Sequence, residues 1–249
     1  MKCQNILSHV IRQGDNLYQL AQYYQTSVPA IVALNPHISP YNMIVGSSIT
    51  ICPGKHFNMP EHTNPPACSD PAIQFAFMSN MREAWIQHVY WTRMLLISID
   101  ERLQDQQYVT ERLLENPEDI ASIFANYYSS EAANQIQQLL TEHLQIGAEL
   151  ITALRDGETE EADELTRQWY ENANQMADAF SSINPYYDRE EMRTMLYEHL
   201  NLTTEEVKKR LAGDYPGDIE AFDLVEAEAL SMADYFSQGI MKQFPQYFL

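Results

Sequence analysis

His9–Gly54, HVIRQGDNLYQLAQYYQTSVPAIVALNPHISPYNMIVGSSITICPG, decides how the N-terminal part of this chain folds. Val10 and Ile11 supply the apolar character of a short first strand ending at Gly14. Asp15 is a good N-cap, since its carboxylate can accept from the free amides of a first helical turn. Leu17, Leu20, Ala21 and Tyr24 then recur at i, i+3, i+4 and i+7, one face of a short helix. Thr26 and Ser27 break it. Ser27 can cap a second helix in which Pro29 is tolerated within the first turn, with Ile31 and Leu34 on its buried face. Asn35-Pro36 stops that helix. A loop from His37 to Met43 leads through Gly46 to a second strand, Ser48–Ile51, which alternates polar and apolar. The expectation is a βααβ unit of α+β class. So few residues bury a small core, so it should be only modestly stable.

The order and spacing of several features then carry a family resemblance. These are Gly14-Asp15-Asn16-Leu17, Ala33-Leu34-Asn35-Pro36, Pro40-Tyr41-Asn42-Met43, Val45-Gly46 and Ile51-Cys52-Pro53-Gly54. Together they resemble a LysM module over about residues 9–54, within a domain expected at residues 1–54. The resemblance implies binding of N-acetylglucosamine polymers such as peptidoglycan or chitin in a shallow groove. By position, one wall of that groove is Gly14, Asp15, Asn16 and Leu17, and the other is Ile38, Ser39, Pro40, Tyr41, Asn42 and Met43. Asn16 stands where the family often has Thr. For Asp15 and Asn35, capping and stopping compete with ligand contact as readings. A single shallow groove binds weakly, so useful retention calls for several copies at once.

Outside the module the text changes. Residues 55–71 carry Pro60, Pro65, Pro66 and Pro71 among polar residues and read as an extended linker. The chain has 15 basic and 35 acidic residues, and residues 1–60 hold Lys2, Arg12 and Lys55 against Asp15 alone. The remainder therefore carries 12 basic and 34 acidic residues, a net of −22. Nucleic-acid binding needs clustered Lys and Arg, so that class is excluded as an expectation. Membrane insertion is not expected either, because no stretch reaches the apolar length of a span. Cys3, Cys52 and Cys68 are too few for a disulfide framework; Cys3 and Cys52 would flank the two strands and could come close, but free thiols are the expectation. The N-terminus lacks an apolar run of leader length, so synthesis in the cytoplasm without a signal peptide is expected.

Residues 72–249 switch to a 3.6-residue period. Met78, Met81, Trp85, His88, Thr92, Leu95 and Ile99 predict a long first helix. A shorter helix is expected near Glu118–Tyr128. Ile136, Leu139, Leu140, His143, Gly147, Leu150 and Leu154 form the next stripe. Thr159 can cap a third long helix with Leu165, Trp169, Asn172, Met176 and Phe180 inward. Residues 188–212 read as one or two short helices, with Thr203-Thr204-Glu205-Glu206 as a cap signal. After a loop at Gly213–Gly217, Ile219, Phe222, Glu226, Ala229, Ala233, Phe236 and Ile240 define the last long helix. The expected architecture is an acidic four-helix bundle with a short-helix insertion. His88–Arg93 (HVYWTR), Trp169–Ala173 (WYENA) and Gln243–Pro245 (QFP) resemble stretches in the helical domains of uncharacterised bacterial proteins, which implies no activity.

The chemistry in this body is confined to the inner stripes. His88, His143, Asn172 and Glu226 each interrupt an apolar face, and Asp223 and Glu226 sit at i, i+3. One expectation is a buried hydrogen-bonded network that satisfies these groups. The alternative is a divalent metal held by His88, His143, Asp223 and Glu226. The Glu-x-x-His pattern of di-iron bundles is missing. Leu140–Leu144 (LTEHL) and Leu196–Leu200 (LYEHL) share a pattern too short by itself to define a repeat. No GxSxG, P-loop, GxGxxG or HExxH pattern occurs. The expected function is therefore a non-catalytic glycan-binding protein of a cell wall or spore envelope, without a cofactor. A metal-binding bundle or a glycan-active enzyme localised by its module is the alternative. Homo-oligomerisation would supply avidity.

Overall fold

A computed structural model describes residues 6–12, 15–35, 43, 45, 47–54 and 71–248, the side chain of Tyr18 excepted. The chain divides into two units, residues 1–77 with 246–249, and residues 78–245. In the first, β1 (Leu7–Val10), α1 (Leu17–Tyr23), α2 (Val28–Leu34) and β2 (Ser48–Ile51) follow in the expected order. The strands pair antiparallel, with Leu7 opposite Ile51 and Val10 opposite Ser48. Ile11, Leu17, Leu20, Ala21, Ile31, Ile49 and Ile51 form the core. The first strand stops earlier than Gly14. Val10 faces solvent while Ile11, one residue past the strand, is buried.

Two polar residues of this unit act differently from their sequence reading. The cap of α1 is Asn16, whose Oδ1 accepts from the Gln19 amide at 2.9 Å, and not Asp15. Asn35 does more than end α2. Its Nδ2 donates to the carbonyls of Ile31 and Thr50, both at 2.7 Å, and its Oδ1 accepts from the Thr50 amide at 2.8 Å. One carboxamide thus ties the end of α2 to the edge of β2. Asn35→Ala leaves three backbone groups to find other partners and should cost about 1–3 kcal/mol, a large fraction for so small a core. Limited proteolysis should then cut within residues 6–54 while residues 78–245 persist; equal protection of both units would contradict this. Cys52 is disulfide-bonded, which corrects the expectation of a free thiol; the other half of the bond lies outside the described residues.

The second unit contains α3 (Pro71–Asp100, whose first residues belong to the other unit), α4 (Gln106–Leu113), α5 (Asn116–Ala125), α6 (Ser130–Asp156), α7 (Thr159–Ile183), α8 (Arg189–Leu211) and α9 (Tyr215–Gln243). Five of these are long, so the four-helix expectation is corrected. The difference lies in residues 188–212, a single helix. Asp188 caps it by accepting from the Glu190 and Glu191 amides. Thr203 and Thr204, read as a cap, lie mid-helix, where the Thr204 hydroxyl donates back to the Leu200 carbonyl at 2.7 Å. That back-bond lets a Thr sit inside a helix. The last helix also begins earlier than expected. Asp214 caps it and Pro216 occupies its first turn, where a missing N–H costs nothing. Ile219, assigned inward, is exposed. Thr159 is within α7 and makes no cap bond.

The helices form three successive hairpins: α6 packs on α7 and α8 on α9, while α3 is tied to α4 by Gln87 with Arg112 and to α5 by Ala84 and His88 with Asn116. The return arm of the first is broken at Asn116-Pro117, since proline cannot donate to the preceding turn. Gly157, at φ 75°, supplies the left-handed residue that ends α6. The hairpins are internally related. Asn116…Ile120-Ala121…Phe124, Asn172…Met176-Ala177…Phe180 and Glu228…Met232-Ala233…Phe236 recur at a spacing of 56 residues. All nine residues other than the leading Asn, Asn and Glu are buried. Phe124, Phe180 and Phe236 meet with ring centroids 4.6, 5.3 and 5.6 Å apart, one ring from each hairpin. The unit is thus three copies of a helical hairpin around a pseudo-threefold core. No helix among the described residues is long and apolar enough to cross a membrane.

Candidate functional site

The same threefold relation brings three imidazoles together. His88 on α3, His143 on α6 and His199 on α8 lie 55 and 56 residues apart in sequence. Their ring centroids are 5.9, 6.0 and 6.1 Å from one another, a near-equilateral triangle. All three are buried, at 3, 3 and 4 % exposure. One ligating nitrogen from each lies within 4.8 Å of the other two.

Each ring is oriented by the return helix of its own hairpin. His88 Nδ1 lies 3.0 Å from Asn116 Oδ1, His143 Nδ1 3.3 Å from Asn172 Oδ1, and His199 Nδ1 3.0 Å from Glu228 Oε2. The amides cannot be the other way round. Asn116 Nδ2 donates to the Ala84 carbonyl at 2.9 Å, and Asn172 Nδ2 donates to the Leu139 carbonyl at 3.0 Å. Their oxygens therefore face the rings, and so does the Glu228 carboxylate. Nδ1 of His88 and of His143 must therefore carry a proton, Nδ1 of His199 faces a carboxylate, and on each ring Nε2 is the nitrogen that these bonds leave uncommitted. Trp169 holds His143 further: its Nε1 donates to the His143 carbonyl at 3.0 Å and its ring lies 5.2 Å from the imidazole. Gly147, one turn on, packs against that indole.

Burial keeps His88 and His143 neutral. Desolvation, with the neighbouring imidazole His199 adding to it, pushes His88 down to about 3. Desolvation, then His88 and His199, holds His143 well below the ordinary histidine range. The three residues border a cavity of about 20 Å³ with otherwise mostly apolar walls, enough for one water or ion. One turn after each histidine, Thr92, Gly147 and Thr203 line it too. The Thr203 hydroxyl is buried and has no hydrogen-bond partner among the described residues. Beside the cavity Arg93 Nη1 meets Glu206 at 2.5 Å and Asp218 at 2.7 Å. Desolvation, opposed by Arg93, raises Glu206 to about 7.

Of the residues singled out in sequence, His88, His143 and Asn172 belong to this constellation. Asp223 and Glu226 do not. Asp223 is exposed, and Glu226 is half-buried and accepts from the Tyr90 hydroxyl at 3.4 Å. The three residues that were missed are His199, Asn116 and Glu228. Their signal was present, because LYEHL repeats LTEHL and the histidines and their orienting residues recur every 55 or 56 residues.

In the N-terminal unit, Gly14 and residues 38–42 lie outside the described residues. The rest of the first loop is held by Asp15, whose Oδ2 accepts from the Arg12 amide at 2.7 Å and lies 2.6 Å from His9 Nε2. His9 Nδ1 lies 2.8 Å from the Tyr24 hydroxyl, so strand, loop and helix share one polar chain. Leu17 is a core residue, and Met43 packs against that core. No curated protein and no solved structure matches the chain. Residues 9–51 match the LysM domain family, a glycan-binding module of the peptidoglycan and chitin type.

Proposed function

We propose that this protein is a non-catalytic glycan-binding protein, attached through its LysM domain to N-acetylglucosamine polymer in a cell wall or spore envelope. The match over residues 9–51 carries the reading. The groove walls are then Gly14–Leu17 and Ile38–Met43. Backbone groups of these loops would hold the acetamido group, and apolar side chains its methyl and the pyranose face. Asp15 serves that groove indirectly by bonding the Arg12 amide and His9. Self-association through the helical unit would raise the weak affinity of one groove.

The test is co-sedimentation with purified peptidoglycan and with chitin. Retention should fall at least tenfold when residues 1–54 are deleted, because the helical unit contributes no glycan contact in this reading. Equal retention of the truncated chain would refute the proposal. A second reading, in which the helical unit binds a metal, is favoured by the three converging imidazoles.

A further inference from the structure

We propose that His88, His143 and His199 form a binding site for one divalent first-row transition metal ion, coordinated by three Nε2 atoms on the pseudo-threefold axis of the helical hairpins. The argument begins with hydrogen bonding. With Nδ1 of each ring committed to Asn116, Asn172 or Glu228, Nε2 is the nitrogen left for a ligand, and one nitrogen of each ring lies within 4.8 Å of the other two. A water in the cavity has two protons and can donate to at most two of the three rings. A single cation satisfies all three.

The surrounding groups fit a metal centre. Ligating histidines characteristically donate the other ring nitrogen to a carboxylate or carbonyl oxygen, which fixes tautomer and orientation. All three do so here, each from a different helix pair. Three imidazoles suit Zn²⁺, Co²⁺, Ni²⁺, Cu²⁺ or Fe²⁺ and disfavour Mg²⁺ and Ca²⁺, which require oxygen ligands. Three protein ligands leave a coordination position open. Thr203, whose buried hydroxyl has no partner among the described residues, lines the same cavity. The inference stands apart from glycan binding and does not depend on it.

The test uses the full-length, tag-free chain, stripped with chelator and titrated with Co²⁺ and Zn²⁺. One equivalent of Co²⁺ should develop visible d–d absorption and be displaced by Zn²⁺, and the thermal midpoint should rise on Zn²⁺ addition. His199→Ala should abolish the absorption. Glu228→Ala keeps all three imidazoles, so it reads the site even if the histidine variant fails to fold. As the loss of a positioning residue, it should weaken Co²⁺ affinity by about 10- to 100-fold with unchanged stoichiometry. The chain has four other histidines, His9, His37, His56 and His62, so a band surviving in folded His199→Ala would assign the metal to them and overturn the proposal. So would a wild-type chain with no Co²⁺ band and a midpoint indifferent to Zn²⁺, or undiminished affinity in Glu228→Ala.

Discussion

Arg93→Ala should lower the stability of the helical unit by about 3–5 kcal/mol, the usual cost of breaking a buried ion pair from one side. Arg93 extends from α3 between a carboxylate of α8 and one of α9. Its guanidinium bonds Glu206 at 2.5 Å and Asp218 at 2.7 and 3.1 Å. The two acids are 3 and 1 % exposed at their side chains. Arg210 approaches Asp218 only to 3.7 Å, so it cannot take over Arg93's role. Without Arg93 the unit encloses two carboxylates with little compensation. It must then protonate them or open to water. Arg93 also covers the Phe222 ring at 4.6 Å, so some apolar packing is lost as well.

The comparison that isolates the electrostatic cost is a triple replacement, Arg93→Met with Glu206→Leu and Asp218→Leu. Removing all partners together leaves no orphaned charge and should recover most of the loss. Urea unfolding of the three proteins checks this. A single-variant cost below about 1 kcal/mol would place Arg93 among ordinary surface pairs.

Phe236→Ala should cost a similar amount, about 3–5 kcal/mol, through the cavity it leaves. Phe236 is fully buried and sits where the three hairpins meet. Its ring stacks on Trp85 at 5.2 Å, and lies 4.6 Å from Phe180, 5.6 Å from Phe124 and 5.5 Å from Tyr187. Three helices, α3, α5 and α7, and Tyr187 in the loop before α8 lose a contact at once, and helices fixed by two other rings cannot collapse into the space. Tyr108, 69 % exposed on α4, is the control, and its replacement by Ala should change stability by no more than about 0.5 kcal/mol. Midpoints of urea unfolding decide between them. Equal effects at the two positions would mean that the phenylalanine layer does not hold the hairpins together.

Local periodicity carried much of this structure. The βααβ order, Ser27 as a cap, and the inward faces of α3, α6 and α7 all follow from spacing within one or two helical turns. His88, His143 and Asn172 were legible for that reason, each standing where an apolar residue was due. The failures are equally local. Thr203-Thr204 carries a cap signature, yet the Thr204 back-bond keeps the helix running, and His199 was lost with it. On α9 the phase was set by Ile219 and Glu226, which placed Glu226 inward and overlooked Glu228 two residues on. Asp15 and Asn16 are both competent caps, and only the pull of His9 and the Arg12 amide on Asp15 leaves that role to Asn16.

By itself, then, the sequence determined a LysM head, a helical body and the presence of polar residues inside that body. It also contained the 56-residue recurrence of hairpins. The tertiary structure decided which of those polar residues meet. Convergence of His88, His143 and His199 depends on three hairpins packing about one axis, and the proton on each ring depends on an amide or carboxylate 28 or 29 residues away. Periodicity reports the direction of a side chain relative to its own helix. The position of one helix face relative to another is set by packing across the core, where the phenylalanine layer fixes the distances.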